Sequence, residues 1–334
     1  MDQILANKKR QPGRYYEAID VCRLASGAAL RIPLHVLTGI NDGPTLGILT
    51  TVHGDETFPL MVVRELLNSI RPEELHGRIA AVPVANPLAV PVFDRQTPEQ
   101  HGKTDLHEVF PGKAEGNLTQ KMAATISTHL LDHVDALVDM HCGGMGGRLQ
   151  SRADFDEAAK GDVYQRSLNL CRAFGVPFIH SNNLSGTAAR YCNSKGVPTV
   201  NPEIGGVYLG AEAENHYMAQ TLKGFRSVLD ELGMLAGPKK AEGKQLLFGV
   251  KSRFEVNPSH GGYLQSRFHT HNDLGKRVEK DDLLGQLVDI YSLQIAEELR
   301  APVSGYLFFS RYSGLVDAGT KAFAIAEEAT SRWL

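Results

Sequence analysis

Leu46-Gly47-Ile48-Leu49-Thr50-Thr51-Val52-His53-Gly54-Asp55-Glu56 is an apolar run that stops abruptly at a histidine, a glycine and two acids. Apolar positions then resume with helical spacing over residues 58–67. The combination predicts a buried strand, a tight turn at Gly54 and a helix. In open α/β sheets chemistry gathers at the carboxyl ends of strands, which is where His53 and Glu56 fall. An imidazole and a carboxylate three positions apart are ligands of the kind zinc accepts. A catalytic zinc needs three such groups and a further position left open for water.

The same grammar continues outward. Short apolar runs recur at 79–84, 136–140, 176–179 and 197–200, and residues 58–70 and 117–134 read as helices. The second helix opens on Asn117 with Gln120 three residues on, a capping-box pattern. Tyr217, Met218, Leu222, Phe225, Val228, Leu229 and Leu232 keep helical spacing up to Gly233, a stop signal. Strands alternating with helices imply an α/β fold with a mixed, mostly parallel sheet flanked by helices. Residues 15–36 add edge strands. After Gly237-Pro238-Lys239-Lys240 the chain turns to short strands between glycines, from Gly261 to Gly319, with at most a short helix near 293–299 or at the very end. The expected division is a catalytic domain at 1–240 and a smaller β-rich, barrel-sandwich-like domain at 241–334.

Composition bounds the partners. The 334 residues are 42% hydrophobic and 22% charged, values that suit a globular chain with a sizeable core. A net charge of -3 gives no reason to expect nucleic acid. No apolar stretch approaches the roughly 18 residues that span a bilayer, and Lys8, Lys9 and Arg10 precede no apolar run, so neither a membrane segment nor a secretory signal is expected. Cys22, Cys142, Cys171 and Cys192 show no CxxC spacing, which suits a reduced, cytoplasmic protein.

The third metal ligand is expected at His141, where the run 136–140 meets His141-Cys142-Gly143-Gly144. Asp139 lies on the same face of that strand and could orient a ligand. Either histidine alone could be an ordinary loop residue; two at strand ends beside Glu56 make a cluster. Hydrolysis also needs a base and a group for the oxyanion. Glu203, in Pro202-Glu203-Ile204-Gly205-Gly206, has the same strand-end setting and is the candidate base. Arg95, after Asn86-Pro87, is the candidate electrophile, because a guanidinium stays charged and can donate twice. A solvent-exposed arginine is the competing reading.

The ordered set His53-Gly54-Asp55-Glu56, Asn86-Pro87, Asp105-Leu106-His107-Glu108-Val109-Phe110-Pro111-Gly112, Asp139-Met140-His141 and Pro202-Glu203-Ile204-Gly205-Gly206 resembles the succinylglutamate desuccinylase/aspartoacylase family, relatives of the zinc carboxypeptidases. The resemblance runs over essentially the whole chain. It implies one Zn2+ held by His53, Glu56 and His141, Glu203 activating the bound water, and hydrolysis of an amide between an acyl group and an amino-acid-like amine. One departure concerns substrate. Family members usually carry Asn-Arg after Asp-Leu, and the pair helps bind a substrate carboxylate; here the positions are His107 and Glu108. Arg148, Arg152 and Arg190 are candidate replacements, and Glu108 could instead attract a substrate amine.

Rival readings come from the tail and the metal. Residues 275–285 and 301–306 are similar to a biotinyl/lipoyl-type β-sandwich, but residues 288–300 between the halves contain no lysine for a carrier group. His269 and His271 could share a face as a second metal site, yet lack a third ligand. A zinc carboxypeptidase acting on peptides is the alternative enzyme, disfavoured because the added β domain would crowd a long peptide. A protein that only binds metal would not need Glu203. The expected partner is a small N-acylated amino acid or amine, and a homo-oligomer is left open.

Overall fold

The computed structural model describes residue 5, residues 11–236 and residues 243–334. Lys8 to Arg10, the linker Gly237 to Lys240 and the domain boundary expected at 240/241 lie outside the described residues. A ten-stranded sheet forms the frame. Its strands in chain order are β1 (Gly13–Arg23), β2 (Ala29–Thr38), β3 (Asn41–Thr50), β4 (His76–Val82), β5 (Ala136–Met140), β6 (Arg152–Asp156), β7 (Phe178–Asn182), β8 (Thr199–Glu203), β9 (Leu246–Gly249) and β10 (Arg332–Trp333). Across the sheet they run β1-β2-β4-β3-β5-β8-β6-β7-β9-β10. Pairs β3–β4, β3–β5, β5–β8, β6–β7 and β7–β9 are parallel. The β1–β2 hairpin supplies the edge expected at 15–36.

Two strand groups point in opposite directions. β3, β5 and β8 are parallel neighbours, so their carboxyl ends lie side by side. β6 runs antiparallel to β8, so its first residue, Arg152, pairs with Glu203, the last residue of β8. Side chains alternate along each strand, and the sheet is therefore apolar on both faces. Leu46, Ile48, Ala136, Val138 and Met140 face α1 (Phe58–Asn68), α3 (Gly161–Phe174) and α5 (Ala211–Glu231). Leu49, Ala80, Val82 and Leu137 face α2 (Leu118–His129) and α4 (Ala188–Ser194).

Local chemistry sets the helix ends. Pro59 sits in the first turn of α1, where a missing N–H costs nothing. The Asn117 side chain accepts from the Gln120 N–H at 2.9 Å, as the capping pattern predicts. After α2 the chain makes a separate 3-10 turn, Leu131–His133, so the long helix expected at 117–134 is shorter. α5 carries Glu212 and Glu214 in its first turn, favourable to the helix dipole.

The tail is two antiparallel sheets over a core of Leu264, Leu284, Leu287, Leu299, Leu307, Phe323 and Ile325. The helix expected near 293–299 is instead a strand, Ile295–Arg300, paired antiparallel with Leu283–Val288; the end of the chain is also a strand, β10. Cross-strand pairing has overridden the four-residue spacing of Ile295 and Leu299. His269 is exposed, and His271 starts a 3-10 turn, so the two do not share a strand. The tail is tied back into the rest: β9 and β10 extend the large sheet, and Gly147–Leu149, just after His141, pairs with the tail strand Gly305–Arg311. Among the described residues no helix is long and apolar enough to cross a membrane.

Candidate active site

The site is assembled at the carboxyl ends of β3, β5 and β8. β3 ends through Thr51, whose φ of 53° turns the chain sharply before His53. Gly54 is required by closeness: a Cβ there would lie 2.2 Å from the Ala89 carbonyl carbon. Its N–H donates to the Asp94 carbonyl at 2.9 Å, which docks the turn on the loop carrying Arg95. β5 delivers His141, and parallel bridging sets it beside Glu203: the His141 N–H donates to the Pro202 carbonyl at 2.8 Å.

Three buried groups converge. His53 Nδ1 is 2.8 Å from Glu56 Oε1, His141 Nδ1 is 3.0 Å from Glu56 Oε2, and the two Nδ1 atoms are 3.3 Å apart. The outer nitrogens face carboxylates, with His53 Nε2 3.4 Å from Asp105 and His141 Nε2 3.4 Å from Asp139. A carboxylate behind a ligating imidazole fixes its tautomer and leaves the other nitrogen's lone pair pointing inward. Two nitrogens bound tetrahedrally to one zinc at about 2.0–2.1 Å lie about 3.3–3.4 Å apart, so this donor set fits such an ion. A third imidazole joins them: one ring nitrogen each of His53, His107 and His141 lie within 4.8 Å of one another.

The charges follow from this crowding. Burial pushes the Glu56 carboxyl up, but the two imidazoles pull it well below the usual carboxylate range. Burial likewise opposes charge on His141, yet Asp139 and Glu56 hold it well above the usual histidine value. For His107, burial and then the neighbouring His141 act together and bring it down to about 3, so the ring is neutral.

Glu203 lies beside this cluster, its Oε1 3.1 Å from Arg152 Nη2. Arg152 is buried and anchored by Asp154, whose other oxygen is 3.2 Å from His180 Nδ1 and accepts from Asn182 at 2.9 Å. Burial raises the Glu203 carboxyl, and Arg152 and His141 restrain the rise without cancelling it. Arg95 reaches in from the rim. Its Nε donates to Asp105 at 3.1 Å, and its Nη1 lies 3.3 Å from His53 Nδ1 and 3.6 Å from Glu56.

A family model for the succinylglutamate desuccinylase/aspartoacylase catalytic domain matches residues 42–232. The chain belongs to this family. N-alpha-acetyl-L-2,4-diaminobutyric acid deacetylase of Halomonas elongata is 26% identical over 308 residues, covering 90% of this chain and 86% of its own. Among solved structures, the product-bound ectoine utilization protein EutE (DoeB) from Ruegeria pomeroyi superposes with a TM-score of 0.83 at 23% identity, over 95% of this chain and 96% of its own. A succinylglutamate desuccinylase/aspartoacylase from Rhodobacter sphaeroides gives 0.82 at 22%, with 95% and 96% covered. Both share the fold.

Within this desuccinylase/aspartoacylase fold the remaining candidates separate. Glu108 is exposed. Arg190 is committed to buried Asp156 through Nε and Nη2 and also donates to Asn183. Arg148 lies 4.4 Å above the Tyr312 ring and donates to the Phe268 carbonyl, both on the tail. Of the three arginines considered for a substrate carboxylate, Arg152 is the one beside Glu203, and its Nη1 is buried without a hydrogen-bond partner among the described residues. Sequence reasoning missed the Arg152–Glu203 pair and the Asp154–His180 support. The alternation Arg152-Ala-Asp154 hinted that the two share a face, but nothing local revealed which strand they would lie against.

Proposed function

We propose that this chain is a zinc-dependent amidohydrolase that removes an acyl group from a small N-acylated amino acid or related amine. The observation that carries the reading is the convergence of His53, Glu56 and His141, with carboxylates behind both imidazoles and Glu203 at the adjacent strand end. The deacetylase relative, similar over most of its own length, supports an amide substrate on an amino acid. His53, Glu56 and His141 would hold the ion. A zinc ion there would supply Lewis acidity at the scissile carbonyl and would acidify the attacking water.

The other roles belong to this chain's own side chains. Glu203 takes a proton from the attacking water and returns it to the leaving amine, a task suited to a carboxylate whose affinity for protons burial has raised. Arg152 holds Glu203 in place. Arg95, fixed by Asp105 and open to solvent on one side, faces the cluster and can donate to the oxyanion. Asp105 and Asp139 keep the imidazoles in the ligating tautomer.

The test is a panel of N-acetyl, N-succinyl and N-formyl amino acids and diamines presented to the zinc-loaded protein, with released amine as the readout. Turnover of at least one member that is lost with a chelator and regained with zinc is expected. Cleavage of C-terminal residues from peptides with no action on the panel would replace this reading with a carboxypeptidase.

A further inference from the structure

His107 occupies a position that the chemistry above leaves unused. Its ring centroid is 5.3 Å from that of His53 and 4.7 Å from that of His141, and those two are themselves 4.9 Å apart. The three imidazoles thus form a nearly equilateral triangle. His107 Nδ1 is buried and has no hydrogen-bond partner among the described residues. The ring is positioned from behind by its own turn: Asp105, which faces His53 Nε2, also accepts the His107 N–H at 2.9 Å and so caps the 3-10 turn Leu106–Glu108. One carboxylate therefore faces the His53 ring and, through a backbone bond, fixes the turn that carries His107. A buried imidazole nitrogen without a donor or acceptor calls for an account, since buried polar groups are ordinarily paired. No hydrogen bond joins it to His53 or His141, its ring neighbours. A cation held by His53 and His141 would give the His107 ring a partner, since one ring nitrogen of each of the three lies within 4.8 Å of the others.

We propose that His107 is a fourth protein ligand of the metal, so that this chain binds its ion with three imidazoles and one carboxylate. The proposal rests on the reading of His53, Glu56 and His141 as a metal site. It separates this chain from a site of two histidines and one glutamate, in which zinc is four-coordinate once water is added. Zinc can expand from four ligands to five, so His107 would not have to displace the water. A third imidazole also favours borderline ions such as zinc, nickel and copper over magnesium and manganese, which prefer oxygen.

The test replaces zinc with Co2+ in the intact protein and counts the strongly shifted exchangeable imidazole N–H resonances in the proton NMR spectrum. Three are expected for the wild type and two for His107→Asn. Zinc affinity, measured by competition with a chromophoric chelator, should fall at least tenfold in His107→Asn and stay unchanged in His269→Asn, a control at an exposed histidine. Two resonances in the wild type would overturn the proposal, and that count stands even where His107→Asn fails to fold. Unchanged zinc affinity in a folded His107→Asn would overturn it too. Failure of the wild type to bind either ion would overturn the metal site itself, an outcome distinct from a bound ion with two imidazoles.

Discussion

Replacing Arg152 with methionine removes the one cation that, among the described residues, forms an ion pair with Glu203. Arg152 and Asp154 expose 7% and 3% of their side chains, and Glu203 exposes 23%. Breaking a buried pair by deleting one partner costs about 3–5 kcal/mol, because the other charge is left uncompensated. Here Asp154 keeps His180 and Asn182, and Glu203 retains some solvent, so a loss near the lower end, about 3 kcal/mol, is expected. Urea denaturation at neutral pH would read it as a lower midpoint at unchanged slope. Catalysis supplies a second readout. Arg152 opposes the rise that burial imposes on Glu203. Without it the carboxyl holds its proton to higher pH, and the acid limb of kcat/KM moves to higher pH. Arg152→Lys keeps the charge without the planar fork and should recover part of both losses. A stability loss below about 1 kcal/mol, typical of a surface pair, together with an unmoved acid limb, would refute the reasoning.

Other expectations concern the frame. Gly54→Ala forces a Cβ onto the Ala89 carbonyl, 2.2 Å away, and should cost about 1–3 kcal/mol in thermal or urea denaturation; wild-type stability would contradict the close approach. Asn117→Ala removes the cap of α2 and should cost about 1 kcal/mol by the same measurement. Asp154 is raised by burial but held below the usual carboxylate range by Arg152 and His180. Its contribution is therefore present above the unfolded pKa of about 4 and is lost as pH falls from there through the lower folded value. The stability gap between wild type and Asp154→Asn should be full at pH ~7 and shrink below pH ~4. A gap independent of pH would rule out that linkage.

The frame and the convergence of His53, Glu56 and His141 are legible in the sequence because their signals are local. An apolar run ended by His53, Gly54 and Glu56, and another ended by His141 and glycines, announce strand ends whatever lies between them. The same rule places Glu203 at a strand end, as the structure has it. The structure adds what only tertiary register can supply. Arg152 meets Glu203 because β6 runs antiparallel to β8, and the direction of one strand against a neighbour forty-odd residues away leaves no mark on either segment. Arg190 was chosen for its charge, but Asp156, 34 positions earlier, already holds it. The strand Ile295–Arg300 was misread because Ile295 and Leu299 have helical spacing, while its exposed Glu298 and Arg300 alternate with buried Leu299 as a hairpin strand requires. His107 reads in the sequence as a departure in a substrate motif; its place beside the His53 and His141 rings depends on a fold that brings the 105–108 turn to the ends of β3 and β5.

The central claim is that a metal held by His53, Glu56 and His141 works with Glu203 as the base. Glu203→Gln tests it most directly, measured on one sample for zinc content and for hydrolysis of the best substrate in the acyl panel. The account predicts one zinc per chain, as in the wild type, with turnover reduced at least about a hundredfold. Wild-type turnover by a zinc-loaded Glu203→Gln protein would contradict it.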